Sequence, residues 1–86
     1  MKELERVLKA LANKRRLAIL SYIKKNKEAS VGDIASAIRL SFKATSKHLG
    51  ILIAADILDR EQRRLQMYYR ISSTLPSAAH PILSLL

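Results

Sequence analysis

The hydrophobic period of this chain changes once, near residue 56, and that change limits the fold more than any other feature. Before it, apolar residues recur at helical spacing; after it, they alternate. Leu4, Val7, Leu8 and Leu11 form the i, i+3, i+4, i+7 stripe of an amphipathic helix over Lys2–Leu11. Asn13 interrupts the stripe as a cap. A second helix is predicted from Lys14 to Lys25, with Leu17, Leu20 and Ile23 partly buried. Lys24, Lys25 and Lys27 cluster near its end, where cations suit the negative pole of the helix dipole. Ser30-Val31-Gly32-Asp33 has capping-box spacing and starts a short third helix, with Val31, Ile34, Ala35 and Ile38 on its apolar face. Arg39-Leu40-Ser41 makes a tight connection. Ser41 then caps a fourth helix from Phe42 to Ala55, with Thr45, Leu49 and Leu52 facing inward.

Past the change, Leu65, Met67, Tyr69 and Ile71 alternate with Gln66, Tyr68 and Arg70, the pattern of a strand with one apolar face. Tyr68 and Tyr69 therefore split between surface and core. Ile57–Glu61 is the predicted antiparallel partner, and Gln62-Arg63-Arg64 is a basic tip with no Gly to ease a turn. The tail, Leu75–Leu86, carries Ala78, Ala79, Ile82, Leu83, Leu85 and Leu86, which need a partner surface. Pro76 suits a first helical turn and Pro81 does not suit a helix interior, so a short, kinked helix is predicted. The expected fold is mainly α with a small β-hairpin: a winged helix-turn-helix of about four helices, a two-stranded wing and a short C-terminal helix. Residues 1–74 are expected to form the winged helix-turn-helix domain, and residues 75–86 a separate apolar tail.

Composition narrows the partners. The chain has 86 residues, so one domain with a marginal core is expected. Lys and Arg number 16 against 7 Asp and Glu, a formal charge of +9, which attracts polyanions. There is no cysteine, hence no disulfide framework or thiolate metal site. No apolar leader or membrane-length segment is visible, which points to the cytoplasm and away from membranes. The two histidines, His48 and His80, have no carboxylate at ligand-like spacing, so neither a metal nor another cofactor is expected. No nucleophile–base pair or phosphate loop is present, and the chain reads as no enzyme.

The element order supplies the DNA reading. With Thr45, Leu49 and Leu52 inward, the fourth helix turns Lys43, Ser46, Lys47 and Gly50 outward. The N-terminal residues of such a helix contact base edges in the major groove. Lys donates to guanine acceptors, and Ser donates or accepts. The candidate DNA-binding set is Lys43, Thr45, Ser46, Lys47 and His48 on the helix, with Arg60, Arg63 and Arg64 on the hairpin for phosphates or a minor groove. Arg70, deeper in the strand, is the one of these basic residues expected to pair with an acid. Phe42 is expected to staple the helix start to the core; the other reading sets it against DNA sugars or a thymine methyl. Lys14, Arg15 and Arg16 are read either as phosphate contacts or, for Arg16, as an internal ion-pair partner.

These segments resemble the ArsR-type winged-helix regulators. The resemblance lies in residues 8–20, LKALANKRRLAIL, in Ser30-Val31-Gly32-Asp33-Ile34-Ala35, in Thr45-Ser46-Lys47-His48-Leu49 followed by Leu52, and in Tyr68-Tyr69-Arg70-Ile71. It implies a homodimer that binds double-stranded operator DNA and represses transcription. It gives Ser46, Lys47 and His48 a DNA-contact role by position. It also implies dimerisation through Leu4–Leu11 and Leu75–Leu86. The chain departs from the family in three ways. The cysteines of its metal sensors are missing, and of their His and Asp clusters on the last helix only His80 is present. Arg64 stands where the wing turn usually has Gly, and Phe42 where the recognition helix usually starts with a polar residue. Any effector stays unidentified. A different reading, a winged-helix protein-interaction or RNA-binding module, rests on the apolar excess at Ile51, Ile53 and the tail.

Overall fold

The computed structural model describes residues 1–86. In order, the elements are α1 (Lys2–Leu11), α2 (Lys14–Asn26), β1 (Ala29–Ser30), α3 (Val31–Ile38), α4 (Phe42–Ala54), β2 (Leu58–Arg63), β3 (Gln66–Ile71) and α5 (Ala79–Ser84). The helices begin where the sequence places side-chain caps. Asn13 accepts from the N–H groups of Arg15 and Arg16, Ser30 from Asp33, and Ser41 from Ala44. Each bond satisfies a donor that a helix start leaves without a partner.

The helix ends follow a rule that the sequence conceals. After α3, Leu40 N–H reaches Ala35 O and Arg39 N–H reaches Ser36 O, at 3.0 and 3.3 Å. After α4, Ile57 N–H reaches Leu52 O and Asp56 N–H reaches Ile53 O, both at 3.0 Å. These are Schellman motifs, which require a left-handed residue and usually take Gly there. Here the left-handed residues are Arg39 (φ 56°) and Asp56 (φ 60°). Lys27 (φ 71°) closes α2 with the same sign of φ.

A third strand joins the hairpin. The sheet order is β1-β3-β2, all antiparallel, with Ala29 opposite Tyr69 and Ser30 opposite Tyr68. The sequence reading has only two strands, because a two-residue strand has no period to detect. Ser30 both ends β1 and caps α3, so the helix-turn-helix is fastened to the sheet through its first residue.

The hairpin also turns later than expected. Arg63 pairs with Gln66, leaving Arg64-Leu65 as a two-residue turn. Arg64 takes φ 56° at the first turn position, where Gly is usual. Arg63 is therefore a strand residue rather than the tip. Leu65, placed by the alternation on the apolar face, is 99% exposed in the turn.

One core joins the helices to the base of the hairpin. Ile19, Leu20 and Ile23 of α2, Ile34 of α3, Leu49 and Leu52 of α4, and Ile57 and Leu58 at the hairpin base are nearly or fully buried. Each such side chain contributes about 1.5–3 kcal/mol relative to exposure. Ala79 and Leu83 of α5 belong to the same cluster, and Lys24 Nζ donates to Leu83 O at 2.8 Å, tying α2 to α5. Pro81 falls in the first turn of α5, where it removes no helical bond, while Pro76 lies before the helix. On α1 only Val7, Ala10 and Leu11 are buried; Leu4 (41%) and Leu8 (49%), predicted for the same stripe, stay exposed. Leu17 is half-buried as expected, and Ile19, not singled out by the sequence, is fully buried beside Leu20 and Ile23.

Candidate nucleic-acid interface

The outward face of α4 is built as its period requires. Thr45, Leu49 and Leu52 are buried, and Phe42, Lys43, Ser46, Lys47 and Gly50 are exposed. A Cβ added at Gly50 would meet nothing within 4 Å, so this stretch of helix is open to a close approach. Thr45, one of the candidate DNA-binding residues, is fully buried and does not reach this face. Phe42 is 61% exposed and is absent from the residues packed on the core, which removes the staple expected of it.

His48 is half-buried and held from behind. Arg16 Nη1 lies 3.2 Å from His48 Nδ1, while its Nε donates to Ala10 O at 2.7 Å and its Nη2 to Lys9 O at 3.1 Å. A guanidinium only donates, so His48 Nδ1 accepts and the imidazole's own proton sits on Nε2. Desolvation, then the charges of Arg16, Arg15 and Lys47, hold the His48 pKa below the ordinary histidine value. Arg16 is thus neither a free cation nor an ion-pair partner: it caps the end of α1 and orients His48. Arg15, the second residue of α2, remains exposed, and its charge acts on His48 of α4. The first turn of α2 has no acidic residue, so nothing neutralises its positive pole.

The wing divides its arginines into bound and free. Arg63 donates to both carboxylate oxygens of Glu28 at 2.6 and 2.7 Å and to Glu61 at 3.2 Å. Its guanidinium also stands 4.8 Å over the Tyr68 ring. Arg70 donates to Glu61 at 2.8 Å, the acid pairing its depth in the strand suggested. Hydrogen bonds from Arg63 lower the Glu28 pKa, and those from Arg70 and then Arg63 lower that of Glu61. Arg60 and Arg64 are exposed and make no ion pair. Of the three candidate wing residues, Arg63 is therefore committed within the protein. Its partner Glu28 lies 35 positions away, and no local pattern announced it.

The apolar excess on α4 and the tail is largely absorbed. Ile53, Ala78 and Ile82 pack against the core, and Ala79 and Leu83 are buried in it. Ile51 is 37% exposed. No group of three His, Cys, Asp or Glu side chains is placed to hold a metal, and no helix is long and apolar enough to cross a membrane.

Comparison with known proteins matches this geometry. The family model described as "Bacterial regulatory protein, arsR family" matches residues 13–60. The transcriptional activator HlyU of Vibrio cholerae is 40% identical over 68 residues, covering 79% of this chain. The match spans 62% of the length of that curated relative. Among solved structures, HlyU from Vibrio cholerae superposes with a TM-score of 0.82 at 32% identity, covering 98% of this chain and 87% of that one. A homodimeric winged helix-turn-helix DNA-binding domain from Mycobacterium bovis gives 0.84 at 30% identity, covering 98% and 74%. The transcriptional repressor PagR of Bacillus anthracis gives 0.81 at 26% identity, covering 98% and 92%.

Proposed function

The chain belongs to the arsR family of bacterial regulatory proteins, and on that premise we propose that it binds double-stranded DNA as a homodimer and represses transcription without sensing a metal. It is a transcription regulator with a winged helix-turn-helix fold. The observation that carries the DNA reading is the split of α4: a buried row of Thr45, Leu49 and Leu52, and an exposed row of Lys43, Ser46, Lys47 and Gly50. The exposed row enters the major groove with its first turns against base edges. His48 adds an Nε2 donor, suited to a phosphate oxygen or a guanine acceptor. Arg15, Arg60 and Arg64 take the backbone phosphates that flank the read bases. Thr45 and Arg63 are not part of this contact set.

The dimer uses the apolar surface that the single chain leaves open. Leu4 and Leu8 on α1, with Leu85 in the tail, are exposed side chains that a two-fold partner would cover. The tail of residues 75–86 serves as the dimerisation segment, as the homodimeric architecture of the Mycobacterium bovis domain suggests. The curated relative is named an activator and PagR a repressor. We take repression, by occupying a promoter, as the action of this dimer. The metal-free reading rests on the missing cysteines together with the lack of any three His, Asp or Glu side chains placed to share an ion.

The test is a titration of duplex fragments selected by the protein. Affinity is expected to fall steeply with salt as counterions are released. Lys43→Ala and Lys47→Ala should each weaken binding; wild-type affinity in both would overturn the assigned face. Leu8→Glu should yield a monomer by light scattering. A promoter–reporter fusion carrying the selected site reads the direction of regulation.

A further inference from the structure

The recognition face carries one large apolar side chain. Phe42 is the first residue of α4, and its ring is 61% exposed with no place in the core cluster. Ser41 fixes it there: the Ser41 hydroxyl accepts from Ala44 N–H at 3.1 Å, so the helix starts at Phe42 and the first turn cannot unwind to tuck the ring inward. Lys43 and Ser46 flank it on the same exposed surface. The other large exposed apolar residues lie elsewhere: Met1, Leu4 and Leu8 at α1, Ile51 on the opposite side of α4 beside Lys2, Glu5 and Lys9 of α1, Leu65 in the wing turn, Leu85 and Leu86 in the tail. Phe42 is therefore not an extension of the surface assigned to dimerisation.

The chemistry of the groove limits what a phenyl ring can meet there. Major-groove edges present hydrogen-bond donors and acceptors at every base pair, and one apolar group, the C5-methyl of thymine. A ring at the N-terminus of a major-groove helix gains from that methyl. Against a polar base edge it covers groups that it cannot satisfy. We propose that Phe42 is a specificity-determining residue that selects thymine at one position of each half-site through contact with the C5-methyl.

This inference rests on the DNA-reading assignment of α4, and the experiment separates the two. Duplex fragments bound by the full chain are selected, and each thymine of a half-site is replaced in turn by deoxyuracil, which lacks only the methyl. At one thymine per half-site the wild-type protein should lose about fourfold in affinity, the worth of burying one methyl-sized group. Phe42→Ala should bind the thymine duplex more weakly and no longer distinguish deoxyuracil at that position. Phe42→Leu, which keeps an apolar contact, should retain part of the discrimination. Equal wild-type affinity for thymine and deoxyuracil at every position overturns the proposal while leaving duplex binding intact. So does discrimination that persists in Phe42→Ala. If no duplex is selected and no salt-dependent binding is seen, the DNA-reading assignment falls, and this inference falls with it.

Discussion

Thr45 shows how much a single atom can decide. Its Oγ1 is fully buried and has no hydrogen-bond partner, although the residue lies one turn from the helix cap. A buried hydroxyl without a partner costs about 1–3 kcal/mol. Thr45→Val replaces it with a methyl of the same shape, so the variant should gain about 1 kcal/mol. The denaturation midpoint should then rise by about 4–8 °C for a domain of this size; a drop would show that the hydroxyl has a partner after all. His48 makes the opposite kind of statement, one about protons. Its pKa is lowered by burial and by three neighbouring cations, so the folded protein resists protonation longer than the unfolded chain. Above the ordinary histidine pKa both states are neutral and this contribution to stability is fully present. As pH falls below that value, the unfolded chain takes up the proton first, and stability declines until the lowered folded pKa is passed. Urea midpoints at pH 7.5 and 5.5 should differ in that direction, and the difference should shrink in His48→Gln.

At the scale of elements, the caps were legible and the exits were not. Asn13, Ser30 and Ser41 announce helix starts because their side chains do the capping. The ends of α2, α3 and α4 depend on backbone conformation, and the residues with positive φ are Lys27, Arg39 and Asp56, which give no such signal. The same applies to the wing. An alternation taken to start at Leu65 leaves residues 62–64 as the tip, whereas the chain turns at Arg64-Leu65 with Arg64 left-handed. The alternation then assigned Leu65 to a face it never occupies. A non-glycine residue in this region carries about 1–2 kcal/mol of steric cost. Arg64→Gly should therefore stabilise the fold by about 1 kcal/mol, read as a raised thermal midpoint, while removing one cation from the wing. The interface was legible in the same uneven way. The exposed row of α4 follows from helical spacing, but the capture of Arg63 by Glu28 depends on β1 meeting β3, a contact between distant segments. The position of Arg16 is likewise tertiary: its three partners lie on two other segments, α1 and α4.

For the whole molecule, the balance is between charge and surface. A net charge of +9 on 86 residues opposes association of two copies, yet α1 leaves Leu4 and Leu8 open. Covering that apolar stripe offsets the repulsion, and salt weakens the repulsion further. Added salt should thus have two opposed effects, tightening the dimer and loosening the DNA complex. Sedimentation and duplex binding measured across the same salt series should move in opposite directions. A parallel loss of both would mean that the dimer contact is itself electrostatic.

Arg16 has a mechanical consequence. One guanidinium joins the closing carbonyls of α1 to the imidazole on α4. In a two-fold assembly built on α1, the two reading helices are then braced against the joint that separates them, like callipers locked at one opening. Locked callipers accept one gauge and refuse its neighbours. Inserting a single base pair between half-sites moves them apart by about 3.4 Å and turns one relative to the other by about 35°, a misfit that a braced pair cannot follow. Arg16→Ala should unlock the joint, so that sites with altered spacing, rejected by the native protein, are bound almost as well as the native one.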